Sequence, residues 1–360
     1  MNPVDTEIMK PLRQSPFHVC LCLVTMIFML FAGCAEPADN NDDPVLIILD
    51  TDMGSDCDDA GALALLHVYA DEGKAEILGC IYSSSKVPWG VGVIDAINTA
   101  YGKPDLPIGA AGDSIVGDPV DKMNARKLAS DTALYGHDLM AIQDAFPHVL
   151  LCRRLLASAP DTSVTYITIG HTKGLYDLLV SEADSISELT GSSLVEQKVK
   201  RWVALGALGA NAEDGFYHRD WNFFFNGTAP YTDTLVDVFP RPVWFVDAGN
   251  DVMTGSSLKH TPEDHIVRRA YTYWLGNYGG KTLDDQRPSW DLATIYYAVN
   301  GEGDFLHNTG RGRLDFDQEK GCRWFPDSSG RDHYFVKQVP DSDSAFGAYL
   351  DECLSRNFRQ

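Results

Sequence analysis

Residues 45–66 read VLIILDTDMGSDCDDAGALALL. The run 45–49 is continuously apolar, the mark of a strand buried on both faces. Asp50, Asp52, Asp56, Asp58 and Asp59 follow within ten residues, and an Ala/Leu-rich run with helical spacing covers 60–69. Carboxylates this close repel one another. A folded chain keeps them together where a cation or protons neutralise the cluster. The stretch reads as a strand, a metal-binding loop and a helix, and the rest of the chain as a pocket built over the loop.

Outward from it, strand-like runs at 75–82, 106–109, 164–169, 202–205 and 243–246 alternate with helical runs at 91–101, 149–157, 172–180, 263–275 and 290–299. Repeated β-α-β units with apolar strands predict an α/β fold, an open Rossmann-like, mostly parallel central sheet flanked by helices. Ligands of such sheets bind at the carboxyl ends of the strands. That places 50–59, 169–171, 206–211 and 247–250 along one rim. The polar run 181–193 reads as a surface loop. Shorter apolar runs at 313–316 and 333–336 read as strands completing one domain over 45–360.

Of the 360 residues, 44% are hydrophobic and 22% charged, enough to bury a sizeable core. The formal net charge of -22 repels nucleic acid and anionic membranes, and suits a cation or a neutral polar ligand. Residues 1–33 read as an export signal. Lys10 and Arg13 precede an apolar run at 19–32 that is short for a membrane span. Phe31-Ala32-Gly33-Cys34 resembles the lipobox of bacterial lipoproteins, with Phe31 in place of the usual Leu. The expectation is cleavage before Cys34 and lipid anchoring of that cysteine at the cell envelope. An ordinary signal peptide and a membrane anchor are the competing readings, and translation starts at Met1 or Met9. Residues 34–44 read as a flexible tether. Cys57, Cys80, Cys152, Cys322 and Cys353 are odd in number and irregularly spaced, which indicates small buried residues rather than a disulfide framework or a zinc site.

Three chemistries compete for the acidic loop. An EF-hand needs Gly at loop position 6 and Glu at position 12. Counting from Asp50 finds Ser55 and Gly61 there, and counting from Asp52 finds Cys57 and Leu63, so both registers fail. A phosphatase of the haloacid-dehalogenase type also carries Asp-x-Asp after a hydrophobic strand, but Gly54 stands where such enzymes have Thr or Val. The stretch 49–63, LDTDMGSDCDDAGAL, resembles the N-terminal signature of the nucleoside hydrolase family, Asp-x-Asp-x-Gly-x-Asp-Asp before a helix, in a longer variant. Hard carboxylate oxygens favour Ca2+.

The resemblance continues at intervals to about residue 324 and implies a site. Calcium would be held by Asp52, Asp59, the Ile169 carbonyl and Asp291, with Asp56 and Asp58 as the other candidate ligands or neighbours of the water and sugar. Asp52 would be the general base, and Asn211, Asp220 and Asn222 would fix the ribose. The family has Glu-Phe-Asn where Asp220-Trp221-Asn222 stands, and Asn near Ser84 in the loop 83–85. Its better-known branch has His before the late Asp, where this chain has Trp290. Trp cannot protonate a departing base, so Trp290 either stacks on the base or packs the helix start. His137, in Tyr135-Gly136-His137-Asp138, is a further candidate substrate contact beside the reading of a capping residue, and His171 lies at the rim. The implied activity is calcium-dependent hydrolysis of ribonucleosides to base and ribose, in a possible homo-oligomer. A non-catalytic binder with the same pocket and the phosphatase are the alternatives.

Overall fold

The computed structural model describes residues 43–326 and 330–356. The expected export signal, the Cys34 anchor and most of the tether lie outside the described residues. Asp43–Gln360 forms one compact unit.

The strand β1 (Val45–Thr51) lies inside a ten-stranded sheet, and its Ile47, Ile48 and Leu49 are fully buried. Its neighbours are β2 (Ala75–Tyr82) on one side and β5 (Val164–Thr168) on the other, both parallel to it. β3 (Ile108–Ala110) and β4 (Phe146–Pro147) extend the sheet beyond β2. Beyond β5 come β6 (Val199–Leu205) and β7 (Val243–Asp247), again parallel. The chain thus builds outward in both directions from β1, which makes the β1/β5 crevice the topological switch point where such sheets place ligands.

A two-stranded ribbon pairs β8 (Met253–Thr254) with β9 (Arg287–Pro288) and fixes the approach to the helix Trp290–Asn300. The tail departs from the parallel pattern. β10 (Leu306–Asp317) pairs antiparallel with both β11 (Gly321–Pro326) and β12 (His333–Gln338), and β12 joins β7 in parallel.

The helix Asp58–Asp71 is buried from its first residue through Tyr69, because it threads between the sheet and the helices Trp290–Asn300 and Ile266–Asn277. A side chain at Gly61 would collide with the Tyr271 hydroxyl, so glycine sets how closely these helices approach. Gly54 has φ +115°, a conformation that only glycine adopts without strain, as the expected tight turn requires.

Two local expectations change. The polar run 181–193 does not stay a loop: the helix Gly191–Lys198 begins inside it, capped by the Thr190 hydroxyl, which accepts from the Ser193 amide. Helices Ala229–Val238 and Asp343–Leu354 form where no helix was expected. The five described cysteines are all free and buried.

Candidate active site

The ends of β1, β5 and β6 contribute to one cavity of about 320 Å³. The turn after β1 supplies Asp52 and Ser55, and the first turn of the next helix supplies Asp58 and Asp59. Ile169 comes from the end of β5, Leu205 and Gly206 from the end of β6, and Asp220, Trp221 and Asn222 from the short helix after it. Trp290 and Asp291 enter at the start of their helix.

Five aspartates of this wall, Asp52, Asp56, Asp58, Asp59 and Asp291, belong to the predicted ligand set. Burial is the largest force on Asp52 and, with the charge of Asp56, pushes its carboxyl up to about 7. Asp58 and Asp59 rise well above the usual carboxylate range, through burial and then through neighbouring acids. Asp291 rises for the same reasons, with Asp58, Asp59, Asp52 and Asp56 all contributing. The four groups therefore share one electrostatic problem. Local hydrogen bonds answer it in part: the Thr51 hydroxyl donates to Asp59, and the Ser55 hydroxyl to Asp52 at 3.2 Å. Asp50 faces away into the core. It accepts from Ser83 at 2.9 Å and Tyr166 at 3.3 Å, and burial pushes it up to about 8.

Other predicted residues take different places. Asp220 lines the cavity, but its carboxylate is spent on structure. It accepts from the amides of Asn222 at 3.0 Å, Phe223 at 2.9 Å and Ala207 at 2.9 Å, and from the Cys322 thiol at 3.6 Å. Asp220 is thus the N-cap of the helix Trp221–Phe224, and it stays buried with its carboxyl raised to about 6. Asn222 donates from its amide to the Ile169 carbonyl at 2.9 Å, bracing the oxygen expected to face a cation. That carbonyl keeps a second lone pair.

Asn211, Ser84 and His137 do not line the cavity. Asn211 sits in a turn beyond β6. His137 is buried with its ring on the Ala129 carbonyl at 2.9 Å, a structural contact. Ser84 stands behind Asp52, through His171. Asn226 donates to His171 Nε2 at 3.3 Å, so the neutral ring carries its proton on Nδ1, which lies 2.9 Å from Ser84 Oγ and 3.5 Å from Asp52.

The sequence reading missed the group that answers the acids. Arg287, pinned by the β8/β9 ribbon, donates from Nε to Asp56 at 3.0 Å and from Nη2 to its other oxygen, and stands 3.9 Å from Asp58. Burial works against its charge, but Asp58 and Asp56 outweigh burial and hold the guanidinium firmly protonated. Its central carbon lies 4.4 Å from the Trp274 ring and 4.5 Å from the Trp290 ring. Trp274 stacks on Tyr278 at 4.8 Å, and an exposed Trp221 with Lys122 over its ring completes the mouth. The signal was a basic residue at the edge of an otherwise acidic rim, followed three residues later by Trp. Trp274 and Tyr278, four apart on one helix face, gave a second.

No family model and no curated protein matches this chain by sequence. Solved structures do match. A plant nucleoside hydrolase superposes with a TM-score of 0.58 at 15% identity, over 87% of this chain and 99% of that one. The fold is nucleoside hydrolase-like. The type III effector protein XopQ, solved with adenosine diphosphate ribose, matches at TM-score 0.58 and 14% identity, over 88% of this chain and 94% of its own. Another effector protein matches at 0.58 and 12%, covering 88% of this chain and 95% of its own.

The nucleoside hydrolase fold family typically binds a metal such as calcium. Among the described residues no three His, Cys, Asp or Glu side chains stand as a ready-made metal cage. The donor chemistry nevertheless fits a hard cation. Asp52, Asp59 and Asp291 are buried carboxylates that raise one another, and among the described residues the arginine of this wall pairs only with Asp56 and Asp58. All the donors are oxygens, as calcium prefers.

Proposed function

We propose that the protein hydrolyses the N-glycosidic bond of ribonucleosides, with calcium, giving free base and ribose. The observation that supports this reading is the gathering of Asp52, Asp58, Asp59, Asp291 and Ile169 in one cavity at the switch point of a nucleoside hydrolase-like sheet. In this reading Asp52, Asp59, Asp291 and the Ile169 carbonyl hold the ion, and Asp58 lies beside the sugar. Bound calcium supplies positive charge that acidifies a water and grips vicinal hydroxyls.

The chain's own groups do the rest. Asp52 takes the proton of the attacking water on a carboxylate oxygen oriented by Ser55. The surrounding carboxylates favour positive charge developing at C1′. Asn222 holds the Ile169 carbonyl in place. Trp221 and Trp290 offer apolar faces that exclude water and receive an aromatic base. Asp220 acts as a positioning residue for this wall rather than as a ribose ligand. We place the enzyme at the cell envelope through a lipid on Cys34.

Three observations favour a second reading, a binder that does not turn over. Asp56 is already tied to Arg287 and Asp220 to backbone amides, and one neighbour in fold carries adenosine diphosphate ribose. Incubating residues 35–360 with inosine, uridine and p-nitrophenyl riboside, with calcium or chelator, separates the two. Calcium-dependent ribose release, abolished by Asp52→Ala, supports hydrolysis. Saturable ribosyl binding without release moves the conclusion to the binder. Phosphate release from phosphoesters would revive the phosphatase.

A further inference from the structure

We propose that Arg287 is the residue that meets the aglycone, with Nη1 donating a hydrogen bond to the leaving group as the glycosidic bond breaks. This rests on the hydrolase reading and answers a question that reading leaves open. Trp290 has no acidic proton to give, and His137 is buried on the Ala129 carbonyl outside the cavity. Among the described residues the cavity wall holds two cations, Lys122 and Arg287. Lys122 is tied to Asp118 at 2.9 Å near the exposed mouth. Arg287 sits deeper, beside the acidic loop, with its side chain 16% exposed.

Its geometry suits the task. Nε and Nη2 are committed to Asp56, which leaves Nη1 without an acceptor among the described residues. The two-point pairing fixes the plane of the fork. Trp274 and Trp290 pack on the guanidinium and keep water from it, which strengthens whatever it donates to. β9 anchors its backbone, so the donor is preorganised rather than recruited.

Arginine does not release its proton, so this contact stabilises charge and is not acid catalysis. The balance is then as follows. The water oxygen bonds to C1′ while the bond from C1′ to the aglycone breaks. The bonding pair leaves with the aglycone, the water proton passes to Asp52, and the anionic aglycone takes a proton from solvent after release. Substrates with poor leaving groups need Arg287 most. A leaving group that already carries negative charge well needs it least.

The test compares wild type with Arg287→Gln and Arg287→Lys on inosine, uridine and p-nitrophenyl riboside, and measures binding of p-nitrophenolate. Removing one preorganised donor costs roughly 100- to 1,000-fold in kcat. We expect R287Q to lose that much with inosine and less than about tenfold with p-nitrophenyl riboside, with R287K between. Equal losses on all three substrates, or no loss, would overturn the assignment. Because R287Q leaves Asp56 unpaired, Asp56→Asn/Arg287→Gln serves as the folded substitute if the single variant unfolds, and is read by the same comparison. If wild type hydrolyses none of the substrates, the hydrolase reading has failed and binding decides the assignment alone. p-Nitrophenolate held by wild type and at least about tenfold weaker in R287Q supports it, and unchanged binding overturns it.

Discussion

Asp291 carries the clearest consequence of crowded charge. Burial and four neighbouring acids all oppose its ionisation. Asn has nearly the same shape and no charge, so Asp291→Asn removes repulsion from the site while deleting a candidate ligand. Its effect on stability should therefore change sign with calcium. In chelator near pH 8, the variant should melt higher than wild type by about 2 °C, the shift expected for roughly 1 kcal/mol in a domain of this size. In millimolar calcium the order should invert, because wild type gains binding energy that the variant lacks. Thermal unfolding under both conditions checks this. A variant that melts lower in both conditions would mean that Asp291 serves packing rather than cation binding. Asp52→Asn differs, since Ser55 already donates to that carboxylate.

At the scale of elements, the same residue type does two jobs, and the local pattern alone does not separate them. The strand-loop-helix from Val45 was legible because five apolar residues, an acidic cluster and a helical repeat are all local signals. Asp291 was legible as the head of a helix. Asp220 was read as a ribose contact and is the N-cap of a four-residue helix, fixed by an amide of Ala207 and a thiol more than a hundred residues away. Arg287 had no role legible from its neighbours, because its partner Asp56 is 231 positions distant. Ser84 and His137 sit near the rim in sequence, but side-chain direction turns them behind it. The tail was read only in part: 313–316 and 333–336 fall within β10 and β12, while β11 and the helix Asp343–Leu354 were missed because amphipathic edge elements give weaker patterns than buried parallel strands. Two substitutions test these assignments. Asp220→Ala should destabilise by roughly 2 kcal/mol or more, the loss of a cap plus unsatisfied buried amides, whereas Asp220→Asn should lose less, because it can keep the cap on Asn222 and Phe223 while leaving the Ala207 amide without its acceptor. Denaturant midpoints decide; equal stability with lost activity would restore a ribose role. Gly61→Ala should cost about 1–3 kcal/mol by pushing the helix off Tyr271. Tyr271→Phe in the same chain should recover part of that cost, because the hydroxyl is what a Cβ would strike.

Across the whole molecule, two sets of buried groups pull the pH dependence of stability in opposite directions. His67, His265 and His333 are pushed down to about 4 and His171 to about 3, chiefly by burial. Their neutral forms suit the fold, so their contribution grows as pH rises from about 4 and is complete above the unfolded value near 6.5. The acids do the reverse. Asp220 is raised to about 6, Asp52 to about 7, Asp50 to about 8, and Asp58, Asp59 and Asp291 well above their ordinary range. The folded chain keeps these protons after the unfolded chain has lost them, so each acid costs stability as pH rises, until its folded value is passed. Between pH 6.5 and 8.5 the histidines no longer change and the acids still do. In chelator the melting temperature should therefore fall across that window, with a slope on the order of 1 kcal/mol per pH unit for each group still titrating. Calcium bound among Asp52, Asp59 and Asp291 would favour their ionised forms and remove most of the slope. The residue would be left to Asp50, which faces the core through Ser83 and Tyr166. The stabilisation by calcium should accordingly be larger at pH 8.5 than at pH 6.5. Equal calcium shifts at the two pH values would mean that the ion binds elsewhere on this acidic chain, and that the buried carboxylates of the cavity keep their protons with or without it.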